Sequence, residues 1–259
     1  MKTLSFSDSQ PIQSLGRVLD VLGLFDGERS ELSLSEIAEL LSWPVATTQR
    51  STATLTERGY LTRDPRTKLF VLGPEIVRLA ASLIAGFRLP EVARPHLQGL
   101  AEETGETASL AILDGRDVLF LASCPGRFRL RVGASPGLRS QAHCTALGKC
   151  LLSQLAPADA RLLLGPEPYP PETRESVRTW RQLAPRLSTA RGDGYAISVG
   201  EYEEGLCACA VPVPTRDGLV AAINVAGPVT RVSGDTLVEV VLPKLQAAAT
   251  AIGHAQGYP

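Results

Sequence analysis

Residues 33–72 read SLSEIAELLSWPVATTQRSTATLTERGYLTRDPRTKLFVL, and this stretch decides the fold of the N-terminal part. Ser33 with Glu36 fits the Ser-x-x-Glu capping box, in which each side chain satisfies a backbone N–H that a helix start leaves free. Ile37, Leu40 and Leu41 then place an apolar stripe on the helix that follows. Ser42-Trp43-Pro44 makes a turn, and a proline suits the first turn of a new helix, where its missing N–H is not needed. That helix is expected from about Pro44 to Arg58, with Gly59 as its C-cap. Tyr60–Arg63 and Lys68–Leu72 are short extended runs around Asp64-Pro65-Arg66-Thr67, which predicts a β-hairpin.

Working outward, Leu15, Val18, Leu19, Leu22 and Phe25 fall at helical spacing and predict an earlier helix over Gln13–Phe25. Asp26-Gly27-Glu28-Arg29-Ser30 breaks it, and residues 1–12 read as a disordered polar tail. Three helices followed by a hairpin make a winged helix-turn-helix, a module that binds double-stranded DNA. The charge pattern agrees. Net charge is −1 over 259 residues, so global charge is silent. Residues 1–49 carry three basic against seven acidic residues. Residues 50–68 carry five basic (Arg50, Arg58, Arg63, Arg66, Lys68) against two acidic (Glu57, Asp64). Positive charge is therefore confined to the part that would face a nucleic acid.

Pro74 opens a further helix with Ile76, Val77, Leu79, Ala80, Leu83, Ile84 and Phe87 at apolar positions, read as a linker helix over 74–87. A second region starts near Arg88. A helix with Val92, Leu97, Leu100 and Ala101 is closed by Gly105. Thr107–Asp114 and Asp117–Ser123 flank Gly115-Arg116 as a hairpin. Phe128–Val132 reads as a strand and Thr145–Leu155 as a helix of small residues. Pro157–Arg191 reads as mostly helical apart from the Pro-rich 166–171. Tyr195–Val199, Leu206–Val213 and Leu219–Ala226 have the length and apolar content of strands, and Val232–His254 reads as a final helix. Strands grouped between helices give an α+β class. The boundaries are 13–73 for the winged helix-turn-helix, 74–87 for the linker helix and 88–259 for a C-terminal α/β domain.

Hydrophobic residues make up 44% and charged residues 20% of the chain, enough apolar mass for a core. No apolar run is long enough to span a bilayer, and the N-terminus lacks the apolar stretch of a signal peptide. A soluble cytoplasmic protein is the expectation. The five cysteines are odd in number and include no Cys-x-x-Cys, which argues against a disulfide framework or a structural zinc site. No metal or cofactor is expected. No phosphate-binding Gly-x-x-x-x-Gly-Lys loop and no evident Ser/His/Asp or Cys/His set is present, so an enzyme is not expected.

Several separate motifs in one order now carry a family resemblance. In the first part they are Leu34-Ser35-Glu36-Ile37-Ala38, Glu57-Arg58-Gly59-Tyr60-Leu61 and Lys68-Leu69-Phe70-Val71-Leu72-Gly73. In the second they are His143-Cys144-Thr145-Ala146-Leu147-Gly148-Lys149, Arg191-Gly192-Asp193-Gly194-Tyr195-Ala196 with Glu201, Ala210-Val211-Pro212-Val213 and Gly227-Pro228-Val229-Thr230-Arg231. The chain resembles IclR-family regulators over nearly its whole length. The resemblance implies a DNA-binding domain, a linker helix, a GAF-like effector domain, assembly into homodimers or homotetramers, and control by a small metabolite.

Helical spacing turns Thr48, Thr52 and Leu55 inward, and similar proteins carry larger aliphatic residues at the first two. The outward face is Ala46, Thr47, Gln49, Arg50 and Ala53. Gln49 suits adenine, Thr47 a thymine methyl or a phosphate, and Arg50 guanine or phosphate, with the resemblance favouring phosphate. Arg63, Arg66 and Lys68 on the wing are expected at phosphate or the minor groove. In the second domain, resemblance places effector contacts at Ala146, Leu147, Ser198, Ala208, Asn224 and Ala226. Some relatives carry an acidic residue at the position of Ser198. Free N–H groups at a helix start near Thr145–Leu147 favour a carboxylate as effector. Glu201 reads as a structural hydrogen-bonding or surface residue more than a ligand contact. An alternative is a thiol- or metal-responsive regulator using Cys144, Cys207 and Cys209.

Overall fold

The computed structural model describes residues 12–25, 29–86, 88–214 and 221–258. The expected polar tail lies outside these residues save for Ile12, as does most of the break expected after the first helix. The chain divides into two units, Met1–Gly86 and Phe87–Pro259.

In the first unit, α1 (Gln13–Leu22), α2 (Leu34–Leu40) and α3 (Val45–Glu57) precede β1 (Leu61–Arg63) and β2 (Phe70–Leu72), and α4 (Pro74–Gly86) follows. The capping box forms: Glu36 N donates to Ser33 Oγ and Ser33 N to the Glu36 carboxylate at 2.7 Å. Gly59, at φ +77°, ends the α3 segment in the left-handed conformation that glycine tolerates best. β1 and β2 pair antiparallel from Leu61–Leu72 to Arg63–Phe70, and Leu32 adds a one-residue bridge to Phe70. The turn at the wing tip is held by Asp64, whose carboxylate accepts the N–H groups of Arg66 and Thr67. Val21, Leu32, Ile37, Leu55, Leu61 and Phe70 form the core of this unit.

The second unit is a six-stranded sheet between two helical layers. Its elements are α5 (Leu89–Thr104), β3 (Thr107–Asp114), β4 (Asp117–Cys124), β5 (Arg139–Gln141), α6 (Ala146–Ser153), α7 (Pro157–Leu164), α8 (Trp180–Asp193), β6 (Ala196–Val199), β7 (Leu206–Val213), β8 (Ala221–Pro228), α9 (Gly234–Thr236) and α10 (Leu242–Ala255). The strand order is β5-β4-β3-β8-β7-β6 and every pairing is antiparallel. Side chains alternate across the strands. Cys207, Cys209, Val211, Ile223 and Val225 join the core under α5 and α10. Ala208, Ala210, Ala222 and Ala226 join the core under α6 and α8. The small residues on this second face let α6 lie close to β7 and β8.

Two expectations are corrected, one strand is added and one helix is qualified. Phe128–Val132 is an irregular strap and not a strand. Its carbonyls are taken by side chains: Leu130 O accepts from Arg231, Val132 O from Thr107, and Phe128 O from Arg131. The edge of β4 is paired instead by β5, a three-residue strand that periodicity does not resolve. Non-helical chain between α7 and α8 runs over 165–179, longer than the proline-rich segment alone, because α8 starts only at the Thr179 cap. The last helix runs without interruption over 234–255, as expected, but its hydrogen-bond ladder is not regular throughout. α9 passes through a π-helical turn (Leu237–Val241) into α10, whose second residue, Pro243, has no N–H to continue the regular ladder.

Candidate functional site

On α3, Ala46, Gln49, Arg50 and Ala53 are exposed and Thr47 is partly buried, while Thr48, Ser51, Thr52 and Leu55 face the core. The threonines that occupy inward positions are not left with unmet hydroxyls. Thr52 Oγ1 donates to Thr48 O at 3.0 Å and lies 3.1 Å from Gln49 O, and Thr48 Oγ1 donates weakly to Pro44 O. Backbone carbonyls thus satisfy the polar atoms that a small core would otherwise strand. On the wing, Arg66 and Lys68 are exposed, and Lys68 takes φ +64°. Arg63 is engaged within the hairpin: its Nε donates to Lys68 O at 3.1 Å and its guanidinium lies 5.1 Å from the centre of the Phe70 ring.

In the second unit a cavity of about 60 Å³ lies between the α6 face of the sheet and the strap. All six positions at which effector contacts are expected, Ala146, Leu147, Ser198, Ala208, Asn224 and Ala226, line it. They come from α6, β6, β7 and β8, so the fold brings together residues spread over 81 positions of sequence. Sequence reasoning missed Ser109, Phe120, Ser140 and Tyr202, which also line it, and the roof contributed by Val132, Gly133 and Ala134. Ser109 was reachable only through register, since it stands opposite Asn224 across β3 and β8. Phe120 reaches the cavity beside a β-bulge at Leu121, where two residues of β4 face one register step of β3.

The lining is mostly apolar and includes no Asp, Glu, Lys, Arg or His side chain. Its hydroxyls are mainly committed to protein partners. Ser198 Oγ donates to Cys144 O at 2.9 Å, Ser109 and Ser123 share a 3.1 Å bond, and Thr145 caps α6 by accepting from Gly148 N at 3.0 Å. The N–H groups of Ala146 and Leu147, the first two residues of α6, have no intrahelical carbonyl to meet. Burial, and then the Glu172 carboxylate, disfavour a phenolate and raise the Tyr202 pKa.

Glu201 lies outside the lining. Its carboxylate oxygen Oε1 pairs with Lys149 Nζ at 2.5 Å and Arg186 at 2.9 Å, and its carbonyl accepts from Ser176 at 2.6 Å. Burial lowers the Lys149 pKa, against the pull of Glu201. A second buried pair, Glu106 with Arg231, binds through two contacts of 2.5 and 2.8 Å, and Arg231 stacks 4.4 Å from the Phe128 ring of the strap.

The cysteines of the thiol alternative do not meet. Cys207 and Cys209 belong to the core under α5 and α10, whereas Cys144 sits in the turn before α6 and donates to Gln141 O. Burial raises all three thiols, Cys144 and Cys209 to about 12 and Cys207 to about 11. Among the described residues no three His, Cys, Asp or Glu side chains are grouped to hold a metal ion. No helix among them is long and apolar enough to cross a membrane.

A winged helix-turn-helix joined in one chain to a sheet domain that encloses a cavity defines a class, the DNA-binding transcriptional regulators. The chain belongs to the IclR family: residues 81–254 match the bacterial transcriptional regulator IclR C-terminal domain and residues 14–65 match the IclR helix-turn-helix domain. It is 36% identical to the HTH-type transcriptional regulator BhcR of Paracoccus denitrificans over 89% of this chain and 82% of that one. It is 30% identical to the regulator XynR of Escherichia coli over 96% of this chain and 98% of that one. Among solved structures, an IclR homologue from Microbacterium hydrocarbonoxydans complexed with 4-hydroxybenzoate superposes with a TM-score of 0.82 at 25% identity, covering 95% of this chain and 100% of that one. The family settles the enzyme question as well: these relatives are regulators.

Proposed function

We propose that the protein senses a small organic acid in the cavity of its second unit and answers by changing its hold on an operator. The observation that carries this is the cavity itself. It gathers all six expected effector positions, contains no carboxylate to repel an anion, and is lined by Ala146 and Leu147, whose N–H groups at the start of α6 meet no intrahelical carbonyl. The complex of a related protein with 4-hydroxybenzoate supports an acid of this kind. On the DNA side, Gln49 reads adenine, Thr47 meets a thymine methyl or a phosphate, and Arg50 holds a phosphate, with the small Ala46 and Ala53 allowing close approach. Arg66 and Lys68 reach the backbone from the wing, and Arg63 shapes the wing that presents them.

A single module with this modest charge binds weakly, so the working form is a homodimer or higher assembly on two half-sites. The exposed apolar residues Leu15 and Leu19 on α1, with Ile12 at its N-cap, support assembly. The 74–87 segment serves as the connecting helix. The test is a thermal-shift screen of small aliphatic and aromatic acids with the full chain. A ligand at 100 times its Kd adds about 2.7 kcal/mol to stability, which raises the melting temperature measurably. The reading fails if no acid raises it at millimolar concentration. Reciprocity gives a second check, because operator DNA must then change acid affinity by the same factor as acid changes DNA affinity.

A further inference from the structure

We propose that the ligand of this cavity is a hydroxylated acid and that Asn224 selects its hydroxyl, an inference that rests on the acid-binding reading above. Asn224 is 6% exposed on β8, lines the cavity, and has its Oδ1 buried with no donor. Ser140 on β5 is equally buried, lines the same cavity, and has no partner for its Oγ. These two unmet groups contrast with Ser109, Thr145 and Ser198 around them, whose hydroxyls are bonded within the protein.

A buried polar atom without a partner is costly, and two of them on residues that line one cavity suit a ligand that brings polar atoms of its own. A carboxylate alone does not meet the need: it can accept from the Ser140 hydroxyl but has no proton to give to Asn224 Oδ1. A hydroxyl both donates and accepts, so it satisfies the Asn224 amide whichever way that amide is turned. The division of labour follows from the lining. With no cationic side chain present, the carboxylate goes to the N–H groups of Ala146 and Leu147, and the amide remains for the hydroxyl. An analogue without the hydroxyl displaces cavity water and leaves Oδ1 unpaired, which lowers affinity by roughly ten- to a hundredfold.

The experiment is calorimetric titration of the full-length protein with matched pairs: 4-hydroxybenzoate against benzoate, 2-hydroxypropanoate against propanoate, and 2-hydroxybutanedioate against butanedioate. The expected result is at least one pair in which the hydroxy acid binds about tenfold tighter or more. In Asn224→Ala that ratio collapses to near unity. Equal affinity within every pair that binds overturns the inference and leaves acid binding standing, as does a ratio that survives Asn224→Ala. If no member of any pair binds, the acid-binding reading itself falls, and the inference with it. The wild-type ratio by itself decides the hydroxyl requirement, and if Asn224→Ala does not fold, the near-isosteric Asn224→Leu tests whether Asn224 selects it, with loss of the ratio expected.

Discussion

Gly148→Ala sets local propensity directly against tertiary contact. Gly148 is the third residue of α6, and alanine in a helix interior is favoured over glycine by about 1 kcal/mol. Here a methyl group meets backbone. An ideal Cβ falls well under 3 Å from the O, Cα and C atoms of Ala142, in the fully buried turn that precedes the helix. Carbon atoms in good contact stand about 3.5–4.0 Å apart, so α6 and the turn must separate by on the order of 1 Å. Overpacking costs about 1–3 kcal/mol and sometimes more, and an obstacle made of backbone belongs at the upper end.

After the propensity gain, a net loss of about 2 kcal/mol remains, a fall of roughly 4–8 °C in melting temperature at about 2–4 °C per kcal/mol. Gly99 in α5 and Gly192 in α8 are the controls, because a Cβ at either meets nothing within 4 Å. Alanine at those positions gains about 0.5–1 kcal/mol. Thermal and urea denaturation followed by circular dichroism measure all three. A Gly148→Ala protein as stable as wild type, or level with Gly99→Ala, refutes the claim that close backbone approach fixes this glycine.

Three further outcomes are expected. Arg50→Ala weakens operator binding across sequences and reduces the slope of log K against log salt by about 1, since one phosphate contact releases about one counterion; an unchanged slope in a mobility-shift titration removes Arg50 from the phosphate. Arg231→Ala leaves the Glu106 carboxylate, only 1% exposed, without its cation and lowers the melting temperature. The strap also loses its stack on Phe128 and its bond at Leu130, so trypsin cuts faster at Arg127, Arg129 and Arg131; cutting at the wild-type rate denies the clamp. Burial lowers the His143 pKa below the unfolded value, so the unfolded state binds the proton more readily. Its contribution to stability is present above about pH 6.5 and declines as pH falls below it, and His143→Gln flattens that decline in urea titrations between pH 7.5 and 5.5.

Much of the winged helix was legible because its signals are local. The capping box at Ser33–Glu36, the left-handed Gly59 and the Asp64-Pro65 turn each act within a few residues, and they appear in the structure as read. The Gly115 hairpin followed for the same reason. The strap was misread because Phe128, Leu130 and Val132 alternate as in a strand, while the groups that claim its carbonyls, Arg231 and Thr107, lie 101 and 25 residues away. The π-helical turn in the last helix has a local cause in Pro243, which a continuous apolar pattern concealed.

By itself, the sequence determined the class of protein: a DNA-binding head with its positive charge confined to residues 50–68, and a second region of strands between helices. It also named Asn224 and Ser198 as polar residues of a binding region, through family likeness. Only the tertiary structure decided that Ser198 is committed to Cys144 O while Asn224 is left with an unmet acceptor. It alone added Ser140 as a second unmet group and separated Cys144 from Cys207 and Cys209. The physical reason is common to all three. Whether a polar side chain is satisfied depends on which distant backbone and side-chain atoms the sheet register and helix packing bring within about 3 Å, and neither residue type nor spacing encodes that distance.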